Sequence, residues 1–335
     1  MNIQVEKWIL RADDHLWLED SLTAWYSDNY ICDGCGGFME KISMVKNCRN
    51  ESGLVTGLCP SCGYVKRTRN LTQGWYNENF SKRWLTRRNE RVIKNDYVFN
   101  KLSKYMPEGG SILDVGCGLG DRLLPFHEAG FEVYGIDPSE HRSALAAELM
   151  ENIETGVGEE YLDKSPRKFD AIYFFNVLQF VENPFLVLEM AARKLSDGGV
   201  ILFRVGQFHG NSNYCQFSHL GILRSFLSLY SMKEQFKKLD LWPVEHSEVP
   251  FEMILRKGGK NDISTEILNT AAKLSIRDIE QYARNTMHPL RLKILGKTSI
   301  KYQGRKVILK RKGSFDRMVP MVFQYEGVAL PILLK

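Results

Sequence analysis

Nowhere in these 335 residues is there an apolar run long enough to cross a bilayer. The longest, Ala171 to Val181, is too short and is interrupted by Asn176 and Gln179. The amino terminus, MNIQVEKWILRADDHLWLED, carries charge throughout and lacks the apolar core of a signal peptide. A cytoplasmic protein with no transmembrane segment is the expectation. Charge of one sign is also lacking: the net value is +5, too mild by itself to establish a nucleic-acid partner. The apolar and charged fractions are those of an ordinary globular chain, which excludes wholesale disorder. At this length a main domain with one or two smaller attachments is expected.

Basic residues crowd two stretches, Lys66 to Lys94 and Arg305 to Lys312. Such runs read first as solvated faces, and second as a surface for an anionic substrate or RNA.

The seven cysteines do not suggest a disulfide framework in a cytosolic chain. Four form short pairs, Cys32-Asp-Gly-Cys35 and Cys59-Pro-Ser-Cys62, each followed by glycine at Gly36 or Gly63. That spacing lets both thiolates of a pair face one ion, and the glycine lets the backbone turn so that amides approach the sulfurs. The separation of the pairs fits a hairpin that folds one knuckle back on the other. The expectation is a zinc ribbon in which Cys32, Cys35, Cys59 and Cys62 hold a structural zinc with no open coordination position. A redox dithiol needs one pair, not two. Cys48 and Cys215 stand alone.

From Ser111 the text changes. Ser111-Ile-Leu-Asp114-Val is a short apolar run, Gly116-Cys-Gly118-Leu-Gly120 a glycine-rich turn, and Asp121 to Ala129 a helix ended by Gly130. Phe131 to Ile136 is a second strand with Asp137 at its end. Strand, glycine turn, helix, strand and acid is the order of an adenosine pocket on a parallel sheet. Side chains at the glycines would keep a ligand from the backbone, and Asp137 is placed to accept the ribose hydroxyls. Dinucleotide enzymes share this logic, but their turn is more often G-x-G-x-x-G around a pyrophosphate, whereas here it is G-x-G-x-G.

ILDVGCGLG followed by YGIDPSE closely resembles motif I and the ribose acid of class I S-adenosylmethionine (SAM) dependent methyltransferases. The resemblance implies that Asp114 helps position the methionine part of SAM, and that Cys117 is a bystander in the turn. It continues through Lys168-Phe-Asp-Ala-Ile-Tyr-Phe-Phe-Asn176, similar to the fourth strand, and Phe185 to Leu195, similar to the next helix. Asp197-Gly-Gly199 then resembles the turn into the fifth strand, Val200 to Val205. Gly156-Val-Gly-Glu159 falls where the family places the loop that meets the adenine. The cofactor set implied is Asp114, Gly116, Gly118, Gly120, Asp137, Glu159 and Asn176. The fold class expected is α/β: a Rossmann-like class I methyltransferase sheet with helices on both faces. A small zinc ribbon precedes it and a small α+β carboxyl-terminal extension follows, with boundaries at 1-75, 76-257 and 258-335.

Methyl transfer is an in-line displacement, and an oxygen or carbon nucleophile must also lose a proton. Many relatives read valine-leucine-glutamate-histidine after the fourth strand. Here the letters are Val177-Leu-Gln-Phe180, so that histidine is missing. The candidate bases are then His219 and His209, both after the fifth strand, chosen because the unperturbed imidazole pKa suits the task; Tyr214 is a further possibility.

Zinc ribbon, the aromatic pair Trp75-Tyr76, a basic helix and motif I together resemble methyltransferases of deoxysugar and surface-polysaccharide pathways. A nucleotide-linked sugar or glycan acceptor is the implication, and arginines between Arg83 and Arg91 are candidates for its diphosphate. They serve equally to coat an amphipathic linker helix. The sugar C-methyltransferases carry a longer carboxyl-terminal domain with a second nucleotide fold, which this tail is too short to form. Thr298 to Tyr302 and Lys306 to Lys310 flank Gly304 and suggest a hairpin. Two alternatives stand beside the sugar reading: an rRNA or tRNA methyltransferase, and a non-catalytic scaffold of the same fold.

Overall fold

The computed structural model describes residues 31–46, 53–59, 61–67, 92–205, 224–227, 229–248, 251–266, 299–302, 305–308, 320–325 and 328–333. The chain divides into two compact units. One comprises Met1–Asn70, Gln207–Ser228 and Leu274–Lys335, and the other Leu71–Gly206 and Leu229–Lys273.

In the first unit, strands β1 (Glu40–Lys46), β2 (Gly53–Leu58) and β3 (Val65–Arg67) form an antiparallel meander, which β9 (Ser225–Phe226) extends beyond β3. On the other side β15 (Val328–Leu333) runs parallel to β1, with Ser43 opposite Ala329, and β14 (Pro320–Tyr325) pairs outside it. The hairpin expected around Gly304 is present as β12 (Ser299–Tyr302) against β13 (Arg305–Ile308).

The second unit is built on a seven-stranded sheet. Its strands are β4 (Ser111–Val115), β5 (Glu132–Asp137), β6 (Ile153–Thr155), β7 (Phe169–Phe175), β8 (Leu195–Val205), β10 (Leu241–Glu248) and β11 (Phe251–Lys257). Their spatial order is β10-β11-β8-β7-β4-β5-β6. Pairs among β4 to β8 are parallel, and β11 is antiparallel to both β8 and β10, so it alone opposes the rest. The chain leaves β4 towards β5 and β6, then returns to β7 on β4's other side. That reversal opens a crevice at the carboxyl ends of the strands, where sheets of this kind bind ligands.

Central strands covered on both faces read as continuous apolar text, and β7, with Ala171, Ile172, Tyr173 and Phe174 fully buried, does so. The helices are α1 (Tyr97–Leu102), α2 (Leu124–Glu128), α3 (Glu140–Ala147), α4 (Gly158–Lys164), α5 (Pro184–Arg193) and α6 (Leu229–Leu239). The start of α5 is set locally: the Asn183 side chain accepts from the amide of Leu186 at 3.0 Å, and Pro184 takes the first helical position. Asp197-Gly-Gly199 bulges within β8, because Leu195 pairs with Phe169 and Val200 with Ala171, leaving four residues opposite Asp170. The apolar text of Phe251 to Leu255 lies in β11. Its partner β10, LWPVEHSE, escapes a pattern reading because proline, two acids and histidine break the alternation. A further short helical stretch is described at 262–266.

The lead-in helix is fastened to the β10–β11 edge by a buried acid. Glu252, almost wholly buried, accepts from the Tyr97 hydroxyl at 3.0 and 2.9 Å and pairs with Lys101 at 3.1 Å. A buried carboxylate left without its cation costs several kcal/mol, although Lys101 is one-third exposed and solvent offsets part of that. Lys101→Met should therefore lower unfolding free energy by about 1–2 kcal/mol in urea titration, with Glu252→Gln recovering part of the loss in the same background. No loss in the single variant would contradict this role for Glu252.

Candidate functional site

A cavity of about 430 Å³ lies at the switch point, within the usual range for small-molecule sites. Gly116, Gly118, Asp137, Ser139, Arg142 and Glu159 face it from the β4 and β5 side, and Arg122, Phe175, Asn176, Val177 and Phe180 from the other. The glycine turn has two different reasons for its glycines. Gly116 has φ +85°, and a Cβ there would stand 2.4 Å from Val177 Cγ2, so its lack of a side chain lets the loop after β7 close over the turn. Gly120 does not face the cavity; a Cβ there would meet Met150 Cε at 2.4 Å and Ala146 Cβ at 3.2 Å, so this glycine serves helix packing.

Asp137 is held by the backbone on both oxygens. The amide of Gly118 donates to Oδ2 at 2.9 Å and that of Ser139 to Oδ1 at 2.9 Å. Burial pushes its pKa up, while those two amides and the Arg142 guanidinium pull it back. Each oxygen keeps a lone pair for a ligand hydroxyl.

Asp114 lies beneath the cavity and not on its lining. It is 2 % exposed, and its Oδ1 has no hydrogen-bond partner among the described residues. Burial, reinforced by Asp137 and Asp121, raises its pKa to about 7 against the pull of Tyr173 and Arg122. A buried carboxyl oxygen without a donor at the floor of a cleft fits a ligand bringing an ammonium group. The cavity, the turn closed by Val177 and the backbone-held Asp137 likewise fit an adenosine. The residues present therefore suit SAM.

Beyond β7 the backbone turns at Asn176, whose φ of 61° is left-handed, a conformation asparagine tolerates better than most residues. Its amide donates to the carbonyl of Arg204 at 2.8 Å. In the segment without the family's histidine, Gln179 is buried and Phe180 faces the cavity. Cys117 is buried, with its thiol held protonated by desolvation first and by Asp114 and Asp137 after, which agrees with a bystander. Glu159, expected in a loop, occupies the first turn of α4. His209, His219, Tyr214, Trp75, Tyr76 and the arginines from Arg83 to Arg91 lie outside the described residues. Sequence reasoning missed Ser139, Arg142 and Arg122; only the position of Ser139, two residues after the ribose acid, could have signalled it.

The four paired cysteines meet in the other unit. Their sulfurs all lie within 4.8 Å of one another, with Cys32 to Cys62 at 3.5 Å and Cys35 to Cys59 at 3.4 Å. These are too long for disulfides and close to the edge of about 3.8 Å that a tetrahedral ZnS₄ centre implies. The two knuckles repeat one backbone pattern. The amides of Cys32 and Cys59 donate to the carbonyls of Gly37 and Tyr64 at 2.8 Å, and those of Gly36 and Gly63 donate back to Cys32 and Cys59 at 2.9 and 2.8 Å. The β1–β2 hairpin brings them together, because Glu40 and Leu58, adjoining the two knuckles, are register partners. Thiol hydrogens from Cys32 and Cys62 draw Cys59 down to about 2, and Cys32 is correspondingly pushed up to about 12 and Cys62 also upwards. Crowded thiols of this kind share one negative charge, and a dication would let the others ionise. The cluster fits zinc.

The acids at the cleft carry a pH prediction. The folded protein binds protons at Asp114 and Asp137 that an unfolded chain, with carboxyl pKa near 3.8, has already released. The resulting stabilisation is complete below about pH 4 and lost as pH rises through about 7. Between about pH 5 and pH 8 Tm should fall from this contribution, and Asp114→Asn should flatten that slope. An unchanged slope in the variant would contradict the assignment.

Comparison with known proteins agrees with the architecture. A profile described as a methyltransferase domain matches residues 85–246. The ubiquinone biosynthesis O-methyltransferase of Pseudomonas fluorescens strain SBW25 is 31% identical over 103 residues, 28% of this chain and 44% of that protein. That of Alkalilimnicola ehrlichii is 33% identical over 119 residues, 33% of this chain and 47% of that protein. The chain thus spans less than half the length of these two relatives. A solved structure of an amino pentose methyltransferase from Micromonospora echinaspora is 15% identical and superposes with a TM-score of 0.39 over 57% of this chain and 99% of that one. Residues 85–246 are thus similar to a methyltransferase domain, and β4, the glycine turn and Asp137 lie within the matched stretch.

Proposed function

We propose that this chain transfers a methyl group from SAM to a small-molecule acceptor, a nucleotide-linked sugar or a surface-glycan residue. The observation that carries the cofactor part is the Asp137 carboxylate, fixed by the amides of Gly118 and Ser139 beside the glycine turn. The sugar part rests on the order of a four-cysteine cluster followed by motif I, which resembles methyltransferases acting on sugars.

When bound, SAM supplies an electrophilic methyl on a sulfonium together with its own leaving group. Asp137 would bind the ribose diol, with Gly116, Gly118 and Glu159 lining the adenosine and Asp114 directed at the amino-acid end. Asn176, Val177 and Phe180 would cover the reacting end and keep water out. An oxygen acceptor, as in the matched O-methyltransferases, requires removal of a proton. His219 is the proposed base, with His209 second. In the other unit Cys32, Cys35, Cys59 and Cys62 are proposed to hold one structural zinc.

Calorimetry should detect binding of S-adenosylhomocysteine to the intact chain and none to Asp137→Ala. Labelled SAM offered with nucleotide sugars, glycans and total RNA should label the sugar class, with His219→Ala lowering the rate by about a hundredfold or more at unchanged cofactor affinity. Label on RNA, with affinity falling steeply as salt rises, would overturn the sugar reading. No label anywhere, despite cofactor binding, would favour a scaffold. Metal analysis should find about one zinc per chain, lost with Cys59→Ser; metal-free, stably folded protein would refute the zinc assignment.

A further inference from the structure

Two arginines beside the cleft stack on one aromatic ring and make no ion pair among the described residues, although the charge of Arg122 is felt by the buried Asp114. The Arg122 guanidinium stands 3.9 Å from the centroid of the Phe175 ring, and that of Arg204 stands 5.0 Å from the same centroid and 5.5 Å from that of Tyr97. Both side chains are half-buried, and neither makes an ion pair within 4.0 Å among the described residues. The Nε of Arg122 is buried without a hydrogen-bond partner among the described residues. Nearby cations behave differently: Lys101 and Lys104 each reach a carboxylate of Glu245, and Lys101 also that of Glu252. Glu252, the cross-strand partner of Arg204, is already engaged by Tyr97 and Lys101.

A guanidinium cannot shed its charge when it is partly desolvated, and stacking on an aromatic ring compensates only in part. Phe175 and Arg122 line the cleft, and Arg204 lies one residue from the carboxyl end of β8. This is the side away from Asp137, where an acceptor would approach. A carboxylate is matched by one guanidinium fork, whereas two forks sharing a ring suit a group with charge at two centres.

Resting on the methyltransferase reading above, we infer that Arg122 and Arg204 form an anion subsite for the diphosphate of the acceptor. Phe175 sets the spacing of the two forks. Asp121, which also lines the cleft, accepts from the amide of Ile93 at 2.8 Å and would exclude anions from its own side.

The probe is inorganic pyrophosphate, titrated by calorimetry into the intact chain with and without saturating S-adenosylhomocysteine. Pyrophosphate should bind in both cases, and Arg204→Gln and Arg122→Gln should each weaken it by about tenfold or more. Arg193→Gln, on an exposed helical face, should not change it. Arg204→Lys keeps the charge without the fork and should weaken binding by less than Arg204→Gln. Pyrophosphate binding that S-adenosylhomocysteine abolishes would overturn the inference, because Arg122 would then serve the cofactor's own carboxylate. Absent binding, or equal binding by all variants, would overturn it too. Failure of S-adenosylhomocysteine itself to bind marks instead the failure of the methyltransferase reading.

Discussion

The Asp137 carboxylate, held between two backbone amides, is the constraint on which the rest of the site depends. One amide belongs to the glycine turn after β4 and the other to the segment entering α3, so a single side chain joins two strands' ends. This junction sets the floor of the cleft, and Val177 closes against Gly116 to form its wall. The cleft thus joins a backbone-held acid to a wall of side chains that includes Arg142, Phe175 and Phe180.

The electrostatics divide the same cleft. On the β4 and β5 side stand Asp114 and Asp137, with pKa values raised by burial and so reluctant to ionise until a cation or a donor arrives. On the β7 side Arg122 lines the cleft, and Arg204, from β8, meets the same Phe175 ring beside it. A cationic cofactor and an anionic acceptor would each find the end that suits it. On the proposed reading this separation would orient both partners before any chemistry.

Much of this was legible in the sequence, for a physical reason. A glycine turn and an acid about twenty residues later are local features fixed by the backbone, so Gly116, Gly118 and Asp137 could be read from the text. The paired cysteines were legible for the same reason, since metal spacing is local and the hairpin between the pairs is short. The division of labour among the glycines was not: Gly120 serves packing against Met150, a contact thirty residues away. Nor was the arginine pair, because Arg122, Phe175 and Arg204 come from three separate segments that only the folded sheet brings together. The strand β10 was hidden by Pro243 and the charges of its exposed edge.

The central claim is that the hollow between the glycine turn and Asp137 receives an adenosyl group. A crystal structure of the intact chain grown with S-adenosylhomocysteine tests it most directly. The account predicts a ribose whose two hydroxyls meet the oxygens of Asp137, with the amino-acid end above Asp114. A ligand bound elsewhere, or a cleft filled by the protein's own side chains, would contradict it.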